Sequence, residues 1–321
     1  MKITVLANGD FAAPSLELLA ETGSVNALFV MPVRGKRKGD AEISAVRQVA
    51  ARFGLPVFEP ENINAPEEIE RLCALDSDLL FVCDYGKILS PETIASTRLG
   101  GVNLHGSLLP SYRGAAPINR AIYDGETVLG VSVLHITPEV DAGPVIAAAS
   151  LETSPDETAI QIEKRLARLG APLLLEAIKR IFAGTATPIE QNNAAATKAP
   201  KLKKEEGRID WSRTARQIVN QYRAFVPWPK TFSDWVRADA PDKPPLRLIL
   251  GPLAVGPNDF SDAAYADAAY GEIVAASGNE LWVRCGDGTV RVERVQPAGK
   301  REMPAEEFLR GYRMKPGENL N

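Results

Sequence analysis

Asn103 and His105 stand two residues apart in Val102-Asn103-Leu104-His105-Gly106-Ser107-Leu108-Leu109-Pro110, the densest concentration of chemically capable side chains in the chain. On an extended strand, side chains two apart leave the same face. An amide and an imidazole on one face suit acyl transfer, where one donates to a developing oxyanion and the other moves a proton. Asp141, in the turn-rich run Thr137-Pro138-Glu139-Val140-Asp141-Ala142-Gly143-Pro144, could supply the carboxylate that orients the ring. The neighbouring Tyr112-Arg113-Gly114-Ala115-Ala116-Pro117 gathers glycine, proline and arginine with no packing reason to cluster. The other histidine, His135, shares a face with Val131 and Val133 and reads as a sheet residue with a satisfied ring.

The elements around this constellation follow from periodicity. In the first half, short apolar runs (residues 3–6, 25–30, 79–82 and 102–104) alternate with amphipathic stretches (14–20, 43–53 and 91–96). That alternation predicts a doubly wound α/β domain with a mostly parallel sheet. Asn103 and His105 fall at the carboxyl end of a strand, the edge beyond which open α/β sheets bind ligands. Residues 129–136 and 145–149 read as two strands facing each other across the Asp141 turn. A long helix then runs from the Ser154-Pro155-Asp156-Glu157 cap to about Phe182. Residues 184–206, rich in Ala, Thr, Asn and Lys, read as a basic linker between a domain of residues 1–183 and one of residues 207–321. The latter predicts a helix over 215–225. Short strands at 246–250, 271–274, 281–284 and 290–295 follow, the pattern of a small OB-like β-barrel. Residues 263–270 are alanine-biased and read as a loose loop.

Composition narrows the chemistry. The 321 residues are 45% hydrophobic and 24% charged, which excludes disordered, collagen-like and coiled-coil classes. No segment approaches the roughly 20 apolar residues of a membrane helix, and the first residues do not form a signal peptide, so the expected location is cytoplasmic and no membrane partner is expected. Three separated cysteines build no disulfide framework. With two histidines, a His-based metal cage is excluded and no metal is expected. The net charge of −4 argues against non-specific coating of nucleic acid and directs attention to local basic clusters. The first strand leads into Ala7-Asn8-Gly9 rather than G-x-G-x-x-G, which counts against a dinucleotide.

The stretch from Asn103 to Ile118, with Asp141-Ala142-Gly143 beyond it, resembles the signature of formyltransferases that use 10-formyltetrahydrofolate. The resemblance implies that Asn103, His105 and Asp141 are catalytic. It places folate contacts at Ser107, Leu108, Leu109 and Pro110, with Tyr85 and Gly86 beside them. The second half resembles the carboxyl-terminal domain of the family's methionyl-tRNA branch, through Arg208-Ile209-Asp210-Trp211, Pro227-Trp228-Pro229 and Gln296-Pro297-Ala298-Gly299-Lys300. It implies an enzyme of translation initiation, a monomer, that moves a formyl group from 10-formyltetrahydrofolate, its co-substrate, to the α-amine of methionyl initiator tRNA. The alternative acceptor is an amino-sugar nucleotide. Arg34, Lys36, Arg37 and Lys38, with Lys201, Lys203, Lys204 and Lys300, are the expected tRNA contacts. One departure falls at the first turn, where the family's Gly-Thr-Pro before Asp-Phe-Ala is replaced by Ala7-Asn8-Gly9.

Overall fold

The first strand, β1 (Ile3–Ala7), is buried at every position, as a parallel strand covered on both faces must be. It belongs to a computed structural model that describes residues 1–32, 44–237, 244–256 and 268–321. The order continues α1 (Ala13–Glu21), β2 (Val25–Phe29), α2 (Ala45–Phe53), β3 (Val57–Phe58), α3 (Pro66–Ala74), β4 (Leu79–Cys83), α4 (Pro91–Ile94) and β5 (Gly101–His105). After these come α5 (Pro117–Asp124), β6 (Val128–His135), β7 (Val145–Glu152) and α6 (Ala159–Phe182). One seven-stranded sheet has the order β3-β2-β1-β4-β5-β6-β7. It is parallel through β5 and antiparallel from β5 to β7, so β5 is the last parallel strand. The predicted α/β architecture is the observed one. Among the elements named so far, three escaped sequence reading. β3 is two residues long, too short for a period to show, while α3 and α5 each open on a proline at a first helical turn.

The chain divides into two compact units, and not by a single cut. The first comprises residues 1–118, 127–154 and 161–201, the second residues 119–126, 155–160 and 202–321. The second contains α7 (Ala215–Phe225), β8 (Thr231–Val236), β9 (Leu246–Leu250), β10 (Leu253–Val255), β11 (Ile273–Ser277), β12 (Glu280–Cys285), β13 (Gly288–Val292), β14 (Arg294–Pro297), β15 (Met303–Pro304), α8 (Ala305–Tyr312) and β16 (Asn319–Leu320). Two antiparallel sheets, β10-β13-β12-β11 and β15-β14-β9-β8-β16, enclose one core that includes Trp235, Leu248, Ile273, Val283 and Phe308. Reciprocal bonds between Thr214 and Gln217 fix the start of α7 at the predicted residue. Most of the stretch expected as a loose loop at 263–270 lies outside the described residues.

Helix α6 backs the strand that matters most. Leu104, on the face of β5 opposite Asn103 and His105, lies against Gly170, where a Cβ would come within 2.8 Å of Leu104 Cδ2. Only glycine lets the helix approach this closely. Gly170→Ala should therefore overpack the site beneath β5, lowering stability by about 1–3 kcal/mol in thermal or denaturant unfolding and reducing turnover by displacing the strand end.

Candidate active site

The strand period puts Asn103 and His105 together, and the antiparallel register with β6 sets their surroundings. Asn103 pairs with Leu134 and His105 with Ser132, whereas His135 pairs with Val102. His135 therefore stands on the face opposite Asn103 and His105, within the strand where it was expected. Burial lowers its pKa, and a hydrogen bond to the Gly101 carbonyl acts against that shift.

One carboxylate joins the two front-face residues. Asp141 Oδ1 accepts from Asn103 Nδ2 at 3.1 Å, and Asp141 Oδ2 lies 3.6 Å from His105 Nδ1 and accepts from the Gly114 N–H at 2.9 Å. The Asn103 amide thus has one N–H committed and a second left for a ligand. His105 Nε2 is 2.9 Å from the Tyr112 carbonyl, which can only accept, so Nε2 carries a hydrogen and Nδ1 is the nitrogen that can exchange one. The ring is 5% exposed, which holds its orientation.

Asp141 reaches this position in a left-handed backbone conformation (φ 52°), which costs energy unless the surroundings impose it. Gln191 is one restraint, since its Nε2 donates to the carbonyls of Asp141 (2.8 Å) and Gly143 (2.7 Å). Its Oε1 accepts from Arg113 Nε and Nη2 at 3.0 and 2.7 Å. Gly143 is the other, because a Cβ there would collide with the His135 carbonyl oxygen. Residues 184–201, expected to be a linker, are exposed but not loose. Ile189 exchanges backbone bonds with Val145, and Ala199 N donates to Arg113 O at 2.7 Å. No sequence signal marks Gln191, which lies in an Ala/Asn/Thr-rich tract 48 to 78 residues from its partners.

A pocket opens beside Asn103 and Asp141, lined by Ile88, Leu89, Leu134, Ile136, Pro138 and Val140, with Lys87 and Glu139 among its polar groups. Largely apolar walls meeting a few fixed polar groups fit a flat heteroaromatic ligand. The expected folate residues are not what lines it. Tyr85 is 2% exposed and packs with Leu6, Phe29 and Leu80, its phenol pushed up to about 12 by burial, so its side chain faces the core instead of a ligand. Gly86 takes the positive-φ turn (φ 74°) that leads to Lys87 and Ile88. Ser107 and Leu109 are spent within the chain: Ser107 Oγ donates to Ser111 O, and Leu109 N to Ser132 Oγ. Leu108 is the exposed member of the run, and the Pro110 carbonyl accepts from Thr197 N.

The departure at the first turn has a structural role. Asn8 Oδ1 accepts from Met31 N, and its Nδ2 donates to the carbonyls of Asp84 and Tyr85, so one amide ties the ends of β1, β2 and β4. Gly9 next to it leaves room for the Asp84 carboxylate, which a Cβ would strike. Desolvation in the crevice pushes Asp84 up, Asp10 adds to this, and His105 pulls it back. Glu163 on α6 is raised to about 7 by desolvation first, then by Asp84 and Asp10, with Lys164 opposing.

Comparison with known proteins fits this geometry. The Formyl transferase family matches residues 1–178, and the Formyl transferase C-terminal domain matches residues 201–313. The methionyl-tRNA formyltransferase of Rhodopirellula baltica is 40% identical over 338 residues, covering 100% of this chain and 96% of its own. That of Moorella thermoacetica is 37% identical, covering 100% and 99%. The chain belongs to the methionyl-tRNA formyltransferase family. Among solved structures, the N-formyltransferase of Helicobacter canadensis, in complex with folinic acid and dTDP-3-aminofucose, matches with a TM-score of 0.64 at 17% identity over 91% of this chain and 98% of that one. HypX from Aquifex aeolicus in complex with tetrahydrofolic acid matches with 0.61 at 17%, over 96% of this chain and 47% of that one, so the chain spans about half of HypX. At these identities the likeness is one of fold.

Of the basic residues expected in a methionyl-tRNA formyltransferase of this type, Arg34, Lys36, Arg37 and Lys38 lie outside the described residues. Lys201, Lys203, Lys204 and Lys300 are all exposed. Among the described residues no group of three or more His, Cys, Asp or Glu could hold a metal ion, and no helix is long and apolar enough to cross a membrane.

Two outcomes test this site. Gln191→Leu leaves the Asp141 and Gly143 carbonyls without this donor and removes one acceptor of Arg113, which keeps Asn193, so steady-state kinetics should show turnover falling by tenfold or more with a smaller change in folate KM, as Asp141 loses its fixed position. Glu163 has a folded pKa above its unfolded value near 4.5, so its contribution to stability is present below pH 4.5 and lost as pH rises through 7. Unfolding midpoints should therefore decline across that window in the wild type and decline less in Glu163→Gln.

Proposed function

We propose that this chain transfers the formyl group of 10-formyltetrahydrofolate to the α-amine of methionyl initiator tRNA, leaving tetrahydrofolate and N-formylmethionyl-tRNA, as a monomeric cytoplasmic enzyme. One observation carries the chemistry: the Asp141 carboxylate engages Asn103 and approaches His105 at the mouth of a largely apolar pocket. The bound folate supplies an activated formyl carbon. The neutral α-amine adds to that carbon, forming the N–C bond. Asn103 donates its remaining N–H to the oxygen that gains charge, where a fixed donor counts most. His105, through Nδ1, moves the proton released by the amine toward the departing folate nitrogen as the old C–N bond breaks. Asp141 holds both groups and stabilises the charge that passes over the ring.

Folate would sit against Ile88, Leu89, Leu134, Ile136 and Val140, whose side chains supply contact area while Asn103 and Asp141 fix its reactive end. Leu108, the exposed member of the Ser107–Pro110 run, would meet its periphery. The catalytic domain would be residues 1–183, joined by the lysine-bearing stretch 184–206 to a tRNA-binding domain of residues 207–321. Arg34, Lys36, Arg37, Lys38, Lys201, Lys203, Lys204 and Lys300 would meet RNA phosphates, a salt-dependent attraction compatible with an acidic average charge.

The decisive experiment supplies 10-formyltetrahydrofolate with Met-tRNA or an amino-sugar nucleotide and follows formylation of each. Met-tRNA should be consumed and the sugar nucleotide left. Asn103→Ala should lower kcat about 10²–10³-fold, the usual effect of removing an oxyanion donor, and His105→Ala should be at least as severe. Full turnover in either variant would refute the mechanism.

A further inference from the structure

Lys204, Glu205, Arg208, Phe232 and Arg247 line a concavity of the second unit, of which only Lys204 has a role above, with a volume of ≈ 200 Å³. The space is several times the roughly 30 Å³ occupied by one water and so admits a phosphate group. Its floor is the Phe232 ring, which is 8% exposed. The Arg247 guanidinium lies 4.3 Å from that ring's centroid and the Arg208 guanidinium 5.4 Å. Both are bound to one carboxylate: Asp234 Oδ1 accepts from Arg247 Nε at 3.0 Å, and Oδ2 accepts from Arg208 Nη2 at 2.6 Å and from Arg247 Nη2 at 3.4 Å. Arg208 Nη1 also donates to the Asn321 carbonyl.

This arrangement exceeds what an ion pair needs. Two guanidinium groups share a single carboxylate, and both hold Asp234 below the usual carboxylate range, Arg247 first. Among the described residues, Arg208 Nε and Arg247 Nη1 take no part in these bonds, and Lys204 has no ion-pair partner. The arginine side chains are 45% and 44% exposed, so the cluster is reachable from solvent. Arg208 Nε, Arg247 Nη1 and Lys204 are therefore the donors left around Asp234 and the rim residue Glu205. The arginines are also ordered before any ligand arrives, by Asp234 on one side and by the ring beneath, which reduces the entropy lost on binding. Because the guanidinium groups already occupy the ring, an incoming nucleobase finds no free face on which to stack. The chemistry suits an anion.

We propose that Arg208 and Arg247, seated on Phe232 with Lys204 at the rim, receive a phosphate of the acceptor RNA's backbone, a contact that reads no sequence. The proposal rests on the RNA acceptor of the proposed function and adds residues outside the lysine set.

The experiment measures methionyl-tRNA affinity by fluorescence anisotropy and KM by formylation, each at several salt concentrations, for wild type, Arg247→Gln and Asp234→Asn. Arg247→Gln should weaken tRNA binding about tenfold for tRNAs of different sequence and reduce the slope of log affinity against log salt by about one, while the folate KM does not move. Asp234→Asn, which removes the counter-charge, should tighten binding and steepen the slope. An Arg247→Gln protein with wild-type affinity and slope overturns the proposal. So does an Asp234→Asn protein that binds RNA more weakly with a lowered melting temperature, since the cluster is then a strut between strands. Inorganic phosphate titrated against tRNA distinguishes the sources: displacement from the wild type but not from Arg247→Gln, with no difference between the two in tRNA salt slope, assigns the site to free phosphate and overturns the RNA contact. Failure of the acceptor reading is visible separately, as a wild-type protein that formylates no tRNA.

Discussion

The Asp141 carboxylate is the interaction on which the rest depends. Its two oxygens serve an amide, a backbone N–H and an imidazole. A hydrogen-bond network of this kind is worth most when every member is satisfied and costs most when one is missing. The fold supplies those members from distant places: Asn103 and His105 from a strand end, Gly114 from the following loop, and the Gln191 clamp from an exposed strap. Asp141 can hold a left-handed backbone because that strap and the tight approach of Gly143 leave it no other path.

The sheet explains why these groups meet. β5 is the strand at which parallel pairing gives way to antiparallel pairing, so beyond α5 the chain returns as a β6–β7 hairpin instead of as another parallel strand. The hairpin brings the Asp141 turn back over the strand end. On the neighbouring side, Asp10, Asp84 and Glu163 collect around the ends of β1 and β4 and the start of α6, and burial first, then the other two carboxylates, raises Glu163 to about 7.

Legibility followed the range of the interactions. The strands at 3–6, 79–82 and 102–104 and the helix over 215–225 could be read because burial on one or two faces imposes a period on neighbouring residues. His135 could be placed for the same reason, since its face was settled by two valines. The burial of the Tyr85 side chain could not be read: nothing local distinguishes a tyrosine that caps a core from one that meets a ligand. The 184–206 stretch had the composition of a linker, yet its first part is pinned by backbone bonds to residues 110–113 and 145, which leave no trace in composition.

By itself the sequence determined the strand that carries Asn103 and His105, their common face and the edge of the sheet at which they act, because a period of two and the alternation of apolar runs are local properties. Together with the resemblance of its motifs, that was enough to name the reaction class. The tertiary structure alone decided which amide hydrogen of Asn103 is spent and which imidazole nitrogen faces Asp141. It also decided that Gln191 restrains the catalytic turn and that Lys87, Ile88 and Leu89, with Tyr85 turned inward, line the pocket. Each of these depends on contacts between residues tens of positions apart. Hydrogen-bond partners at that separation are chosen by packing, which no local pattern encodes.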